Sequence, residues 1–132
     1  MQYEGGIVVK MFIDINSKNK QIILHMRRYC EEIIASIDRF GKDYDVFIND
    51  RVYFNAVSMC LLQIGELSLN LTESFVDITS EYIIWEEVRN IRDMLLLPYT
   101  EVDIDLIWKT TVVYATIFYQ FCDMILTGNL EE

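Results

Sequence analysis

The sequence is poor in the residues that metal sites, disulfide frameworks and flexible linkers need. Its 132 residues include a single His, three Cys, one Pro and five Gly. Cys30, Cys60 and Cys122 stand far apart and form no CxxC pair, which argues against a zinc site and predicts buried free thiols in a reducing compartment. Little Gly or Pro and a hydrophobic fraction of 52% exclude collagen-like, linker-like and disordered chains, and the length suits one domain.

Basic residues are also scarce. There are 11 Lys and Arg against 21 Asp and Glu, so the formal net charge is −10. Proteins that bind a nucleic-acid backbone by neutralising phosphates need a basic surface, and this chain would repel such a backbone at long range. Any contact with RNA must therefore depend on a local cleft or on a partner chain.

No segment has the composition of a targeting signal or a membrane span. Residues 1–15 lack a basic start and a small-residue cleavage site. The most apolar stretch, Thr110 to Leu126, is broken by Gln120 and Asp123 and is shorter than the ~20 residues that a bilayer requires. We therefore expect a cytoplasmic protein that does not contact a membrane.

Apolar residues recur at intervals of three and four after residue 16, which is typical of helices. The short connections favour antiparallel neighbours, so we predict an all-α, antiparallel up-and-down four-helix bundle over residues 17–128. The predicted helices are about Asn19–Phe40, about Asp45–Leu71, one through Ile84–Leu95 that Pro98 ends, and one from near Asp103 to Gly128.

Two local features refine this prediction. Gly65 lies inside the second predicted helix, where Gly costs roughly 1 kcal/mol relative to Ala, so we expect a neighbouring helix to approach closely there. Thr100, three residues before Asp103, is the expected N-cap of the last helix.

The two ends of the chain are predicted to lie outside the helical domain. Residues 1–16 contain a Gly pair followed by apolar residues, which indicates either a short β-like arm or a translated leader upstream of a start at Met11. Residues 129–132 form the expected C-terminal tail.

Common catalytic patterns are missing from the sequence, including Gly-rich phosphate loops, Ser-His-Asp sets and metal-ligand clusters. Glu86 and Glu87 are adjacent and point in different directions on a helix, and Asp103 and Asp105 stand at a helix start, where acids are favoured. These pairs are best explained by structural roles. His25 lies beside the first apolar stripe and is expected to be a surface or hydrogen-bonded residue.

One run carries a more specific pattern. The sequence from Trp85 to Trp108, with Ile64-Gly65-Glu66 before it, resembles the HepT-like branch of the HEPN proteins, and the resemblance extends from about Lys20 to Leu126. That family has an Ile-Gly-Glu signature, a Trp, an Arg-Asn-x-x-x-His-x-Tyr motif and a later Val-Asp and Trp. The positions that fit in register are Trp85, Arg92, Tyr99, Val102, Asp103 and Trp108.

The resemblance implies a function as well as a fold. HepT-like proteins are small helical toxins of prokaryotic toxin–antitoxin pairs and act as homodimeric, metal-independent ribonucleases that need no cofactor. The motif Arg would hold the phosphate and the motif His would move protons at the ribose 2′-hydroxyl or the leaving 5′-oxygen, leaving a 2′,3′-cyclic phosphate. The antitoxin is a nucleotidyltransferase that transfers AMP to the motif Tyr, here Tyr99.

The sequence departs from the motif at its catalytic centre. The motif Arg is Arg92, but Asp93 replaces the Asn and Leu97 replaces the His. Leu has no titratable group, so we expect weak or absent turnover, and Asp93 adds negative charge where a phosphate should enter. Arg92 lies on a semi-apolar face, where an unpaired guanidinium would be costly, so a carboxylate partner such as Glu66 or Asp93 is expected.

Three interpretations stay open. The first is a ribonuclease that is weakened or uses another base. The second is a non-catalytic dimeric protein that binds a nucleotidyltransferase. The third is a bundle that holds an unrelated ligand in an apolar pocket away from Arg92. Tyr99 is either an AMP acceptor, as the resemblance implies, or a residue that packs on the first turn of the following helix.

Overall fold

A computed structural model describes residues 16–128, which are helical with short connections and contain no β-strand. The predicted all-α bundle is confirmed, and the expected arm (apart from Asn16) and the expected tail lie outside the described residues. In chain order the α-helices are α1 Ser17–Phe40, α2 Tyr44–Asn49, α3 Arg51–Ser68, α4 Glu73–Thr79, α5 Trp85–Met94, α6 Ile104–Val113 and α7 Tyr119–Thr127.

Helix α1 begins and ends where its capping residues allow. The Asn16 side chain accepts a hydrogen bond from the Asn19 amide at 2.8 Å, and Gly41 follows the last turn with φ 111°. That φ favours a residue without a Cβ, so the predicted end at Phe40 is confirmed. The helix packs its apolar stripe against α3 and α7.

The prediction of one continuous second helix is wrong, because the structure has two helices there, α2 and α3. Asp50 is extended, and its side chain accepts hydrogen bonds from the amides of Val52 and Tyr53 at 2.9 and 3.2 Å. Asp43 caps α2 in the same way through the Val46 amide. Because each Asp satisfies first-turn amides, the chain starts two helices where apolar spacing indicated one.

Helix α4 is an element that apolar spacing did not predict. Thr72 caps it, and the buried Asn19 of α1 holds Thr72 from two sides. The Asn19 side-chain nitrogen Nδ2 donates to Thr72 Oγ1 at 2.9 Å, and Asn19 Oδ1 accepts from the Thr72 backbone amide at 3.1 Å. This contact ties the start of α1 to the loop after α3.

The final helix is continuous from Ile104 to Thr127, with a π-helical turn over Tyr114–Phe118 between α6 and α7. Its N-cap is Asp103, whose side chain accepts from the Leu106 amide at 3.1 Å. The expected cap at Thr100 is therefore wrong, because Thr100 lies in the 3₁₀ turn Tyr99–Glu101. An ion pair of 2.8 Å between Arg27 and Asp123 joins α1 to α7.

The three cysteines are free and buried, as predicted. Burial, with Glu32 3.8 Å from the sulfur, raises the pKa of the Cys60 thiol to about 12. Cys60 therefore stays a neutral thiol at physiological pH and packs as a small apolar residue.

Within residues 16–128, no single helix is long and apolar enough to cross a membrane. The helices Arg51–Ser68 and Glu73–Thr79 meet that criterion only as a pair, bent by 115°.

Candidate functional site

Helices α3 and α5 approach each other closely at Gly65. A Cβ on Gly65 would overlap the Arg92 Cβ and lie 2.9 Å from Arg92 Cγ and 3.3 Å from the Val88 carbonyl oxygen. The predicted close approach at this Gly is therefore confirmed. The missing side chain lets the base of Arg92 lie directly on the α3 backbone.

The Arg92 guanidinium is held by two carboxylates. Its Nε and Nη2 atoms lie 2.8 and 2.7 Å from Glu66 Oε2, and its Nη1 atom lies 2.8 Å from Asp93 Oδ1. Both expected partners are thus present. Hydrogen bonds to Asp93 and Glu66 raise the pKa of Arg92, so the side chain is a permanent cation.

This three-residue cluster lies at the protein surface. The side chains of Arg92, Glu66 and Asp93 are 26%, 44% and 63% exposed. An anion in solvent can therefore reach the guanidinium, but it must compete with two carboxylates that are already there. The two carboxylates engage three of the five guanidinium N–H groups, so a phosphate would meet the remaining N–H groups beside two negative charges.

Leu97 occupies the place that the resemblance assigns to a His. It lies in the connection between α5 and the 3₁₀ turn, where its amide donates to the Met94 carbonyl at 3.0 Å. The Leu97 side chain is 45% exposed, and that of its neighbour Leu96 is 59% exposed. An aliphatic surface side chain at this point can neither donate nor accept a proton.

Tyr99 begins the 3₁₀ turn immediately after Pro98. Its ring meets Phe54 of α3 edge-on with centroids 5.0 Å apart, and the Arg51 guanidinium carbon lies 3.9 Å from the Tyr99 ring centroid. Both of these ring contacts are with α3. Arg51 is a cation beside a candidate site residue that sequence reasoning missed, since no spacing signal links it to Tyr99.

Arg92 and Tyr99 both lie against α3 but do not meet. Arg92 contacts Gly65 and Tyr99 contacts Phe54, and these α3 residues are 11 positions apart. That separation is three helical turns, or about 16 Å along the axis. Within one protomer the structure brings Arg92, Glu66 and Asp93 together and leaves Tyr99 with Arg51 at the other end of the same helix.

Helix α3 and the connection after α5 are short of charge and carry exposed apolar side chains. No Asp or Glu occurs from Arg51 to Gly65 or from Met94 to Thr100. Val52, Met59 and Glu66 recur every seven residues and so share one stripe of α3. We give the name α3–loop face to the exposed sides of α3 and of the connection after α5, whose exposed apolar side chains are Val52, Met59, Leu96 and Leu97.

The other sequence candidates lie elsewhere or have structural roles. His25 is exposed on α1, and Glu86 and Glu87 are exposed in the first turn of α5. Asp105 accepts a hydrogen bond from the Tyr44 hydroxyl. Over residues 16–128, His, Cys, Asp and Glu form no group of three that could hold a metal ion.

A separate groove of about 540 Å³ lies between α5 and the final helix. Arg92 does not line it. The groove is the feature that an unrelated-ligand interpretation would need, and its exposed apolar lining residues are Ile84, Leu106, Val113 and Ile117.

Comparison with known proteins assigns the chain to a family. The family model described as "Ribonuclease HepT-like" matches residues 30–125. The chain is 35% identical over 81 residues to a probable ribonuclease HepT of Thermococcus cleftensis, covering 60% of this chain and 73% of that protein. It is 31% identical over 86 residues to a putative RNase of Caldanaerobacter subterraneus, covering 65% of this chain and 74% of that protein. No solved structure matches the chain. The family match covers most of the helical domain and includes the α3–α5 site, and the chain therefore belongs to the HepT-like ribonuclease family.

Proposed function

We propose that this chain is the toxin-side protein of a prokaryotic toxin–antitoxin pair, with an RNA-binding site centred on Arg92 and weak or no ribonuclease activity. The observation that carries the proposal is the surface guanidinium of Arg92, held by Glu66 and Asp93, five residues before an exposed Leu97. Membership in a ribonuclease family supports RNA as the ligand.

The chemistry of metal-free RNA cleavage explains why we expect this chain to have low ribonuclease activity. The ribose 2′-hydroxyl loses its proton as its oxygen attacks phosphorus, the 5′-oxygen leaves and gains a proton, and a 2′,3′-cyclic phosphate results. Arg92 is suited to stabilise the negative charge on the phosphoryl oxygens. Proton transfer by a positioned side chain typically contributes 10²–10⁴-fold, and Leu97 supplies none of it.

The proposed assembly is a homodimer formed through the α3–loop face. Interfaces are depleted in charge at their centre, and this face has no Asp or Glu from Arg51 to Gly65 or from Met94 to Thr100 and exposes four apolar side chains. In a two-fold dimer the same patch serves both subunits. Pairing through this face would bring the two Arg92 side chains toward one shared cleft.

The proposed partner is a nucleotidyltransferase antitoxin, and Tyr99 is the proposed AMP acceptor. Tyr99 is half-buried on a turn set by Pro98, with Arg51 over its ring. A net charge of −10 favours a partner with a basic face, because complementary potentials speed encounter and select partners.

A second candidate is a non-catalytic dimer that acts only by binding the nucleotidyltransferase. Two observations favour it: Leu97 lacks any proton donor, and both carboxylates on Arg92 oppose phosphate entry. On this account the dimer and the complex survive replacement of Arg92, and RNA is not a ligand.

Incubating excess protein with RNA in the presence of EDTA tests the proposal. We expect slow or no cleavage by the wild type, any product to end in a 2′,3′-cyclic phosphate, and Arg92→Ala to abolish whatever cleavage is seen. The matched control is Arg28→Ala, which removes an exposed Arg from α1 and should leave any cleavage unchanged. Cleavage that persists in Arg92→Ala, or that requires an added metal, would contradict the proposal.

A further inference from the structure

The two carboxylates on Arg92 occupy different edges of its guanidinium. Glu66 Oε2 accepts from both Nε and Nη2, so it covers the side of the group that faces α3. Asp93 Oδ1 is bonded to Nη1, which lies on the outer end of the fork. A phosphate approaching from solvent would take this outer end, because two parallel N–H groups there match two phosphate oxygens.

The two carboxylates also differ in how firmly they are placed. Glu66 lies on α3 next to Gly65, where α3 and α5 are in close contact. Asp93 is the residue that follows Arg92, is 63% exposed and pairs through one nitrogen. Exposed pairs of this kind contribute little to stability, so Asp93 can leave the guanidinium while Glu66 keeps it in position.

We propose that Asp93 is a specificity-determining residue that occupies the phosphate position on Arg92 and excludes single phosphates in favour of an RNA chain. This inference rests on the proposed function, in which Arg92 contacts RNA. A carboxylate attached one residue away is present at a high effective concentration, which a free phosphate ion cannot match. A polynucleotide makes several contacts at once and can therefore displace it.

The test uses a short, fluorescently labelled RNA with 2′-O-methyl groups, which cannot be cleaved, and measures its anisotropy with the full chain. We expect Asp93→Asn to bind this RNA about tenfold more tightly than the wild type, since one negative charge beside the phosphate is removed. Inorganic phosphate should compete with RNA at lower concentration in Asp93→Asn than in the wild type. Asp93→Ser should behave like Asp93→Asn.

Two controls separate a local effect from a change in net charge. Asp38→Asn removes one exposed carboxylate from α1 and should stay within about twofold of the wild type. In the double variant Arg92→Ala with Asp93→Asn, the gain in affinity should disappear.

Each result distinguishes the inference from the proposed function. If Arg92→Ala weakens RNA binding and neither Asp93 variant strengthens it, the role of Asp93 is wrong and the Arg92 site stands. If Asp38→Asn gives the same gain as Asp93→Asn, or if the gain persists without Arg92, the role of Asp93 is also wrong. If neither the wild type nor Asp93→Asn binds the RNA, both proposals fail.

Discussion

Replacing Leu97 with His is expected to raise the rate of metal-free RNA cleavage by about 10²–10⁴-fold. The substitution restores an imidazole at the motif spacing from Arg92, which is the proton-transfer group that the site lacks. Leu97 is 45% exposed in one protomer, so the new side chain would cost little packing there, and an imidazole has an unperturbed pKa near neutrality. The measurement is single-turnover cleavage of labelled RNA with EDTA present.

The matched control is Leu96→His, which adds the same group one residue earlier at a position 59% exposed. It should give no gain, because only the spacing from Arg92 to residue 97 matches the motif. Combining Leu97→His with Arg92→Ala should remove the gain. If Leu97→His cleaves RNA no faster than Leu96→His, the interpretation of this face as a ribonuclease site that lost its His is contradicted.

Replacing Gly65 with Ala is expected to lower the free energy of unfolding by about 1–3 kcal/mol. The new Cβ would overlap Arg92 Cβ and press on the Val88 carbonyl oxygen, so α3 and α5 would have to separate. Helix propensity acts in the opposite direction, since Ala in a helix interior is favoured over Gly by about 1 kcal/mol. A measured loss would therefore report the helix contact itself.

Chemical denaturation followed by circular dichroism gives this free energy. Asn55→Ala, an exposed substitution on the same helix, should change it by less than about 0.5 kcal/mol. A Gly65→Ala variant as stable as the wild type, or more stable, would show that α3 and α5 have room for a Cβ at residue 65 and would contradict the close contact.

Residue types at particular positions predicted the contacts of Arg92 and Gly65 better than apolar spacing predicted the helix boundaries. The place of Arg92 beside Glu66 and the close contact at Gly65 followed from residue types with few alternatives: a guanidinium on an apolar face needs a carboxylate, and a Gly inside a helix usually allows close packing. These constraints are local and strong, so a single sequence was sufficient.

The missed features depend on competition between local signals or on tertiary packing. Asp50 breaks a continuous apolar stripe because its side chain satisfies two amides. Thr100 and Asp103 are both reasonable caps, and only the backbone of the 3₁₀ turn decides between them. The position of Arg51 over Tyr99 joins residues that are 48 positions apart, which no spacing in the sequence indicates.

The proposed function requires the Arg92 guanidinium to be the phosphate-binding group of this protein. Equilibrium binding of a non-cleavable 2′-O-methyl RNA to the wild type, Arg92→Ala and Arg28→Ala at low and moderate salt measures this role. We expect Arg92→Ala to bind about tenfold or more weakly, with a smaller dependence on salt, while Arg28→Ala stays close to the wild type. Equal affinities and equal salt dependences for Arg92→Ala and Arg28→Ala would contradict it.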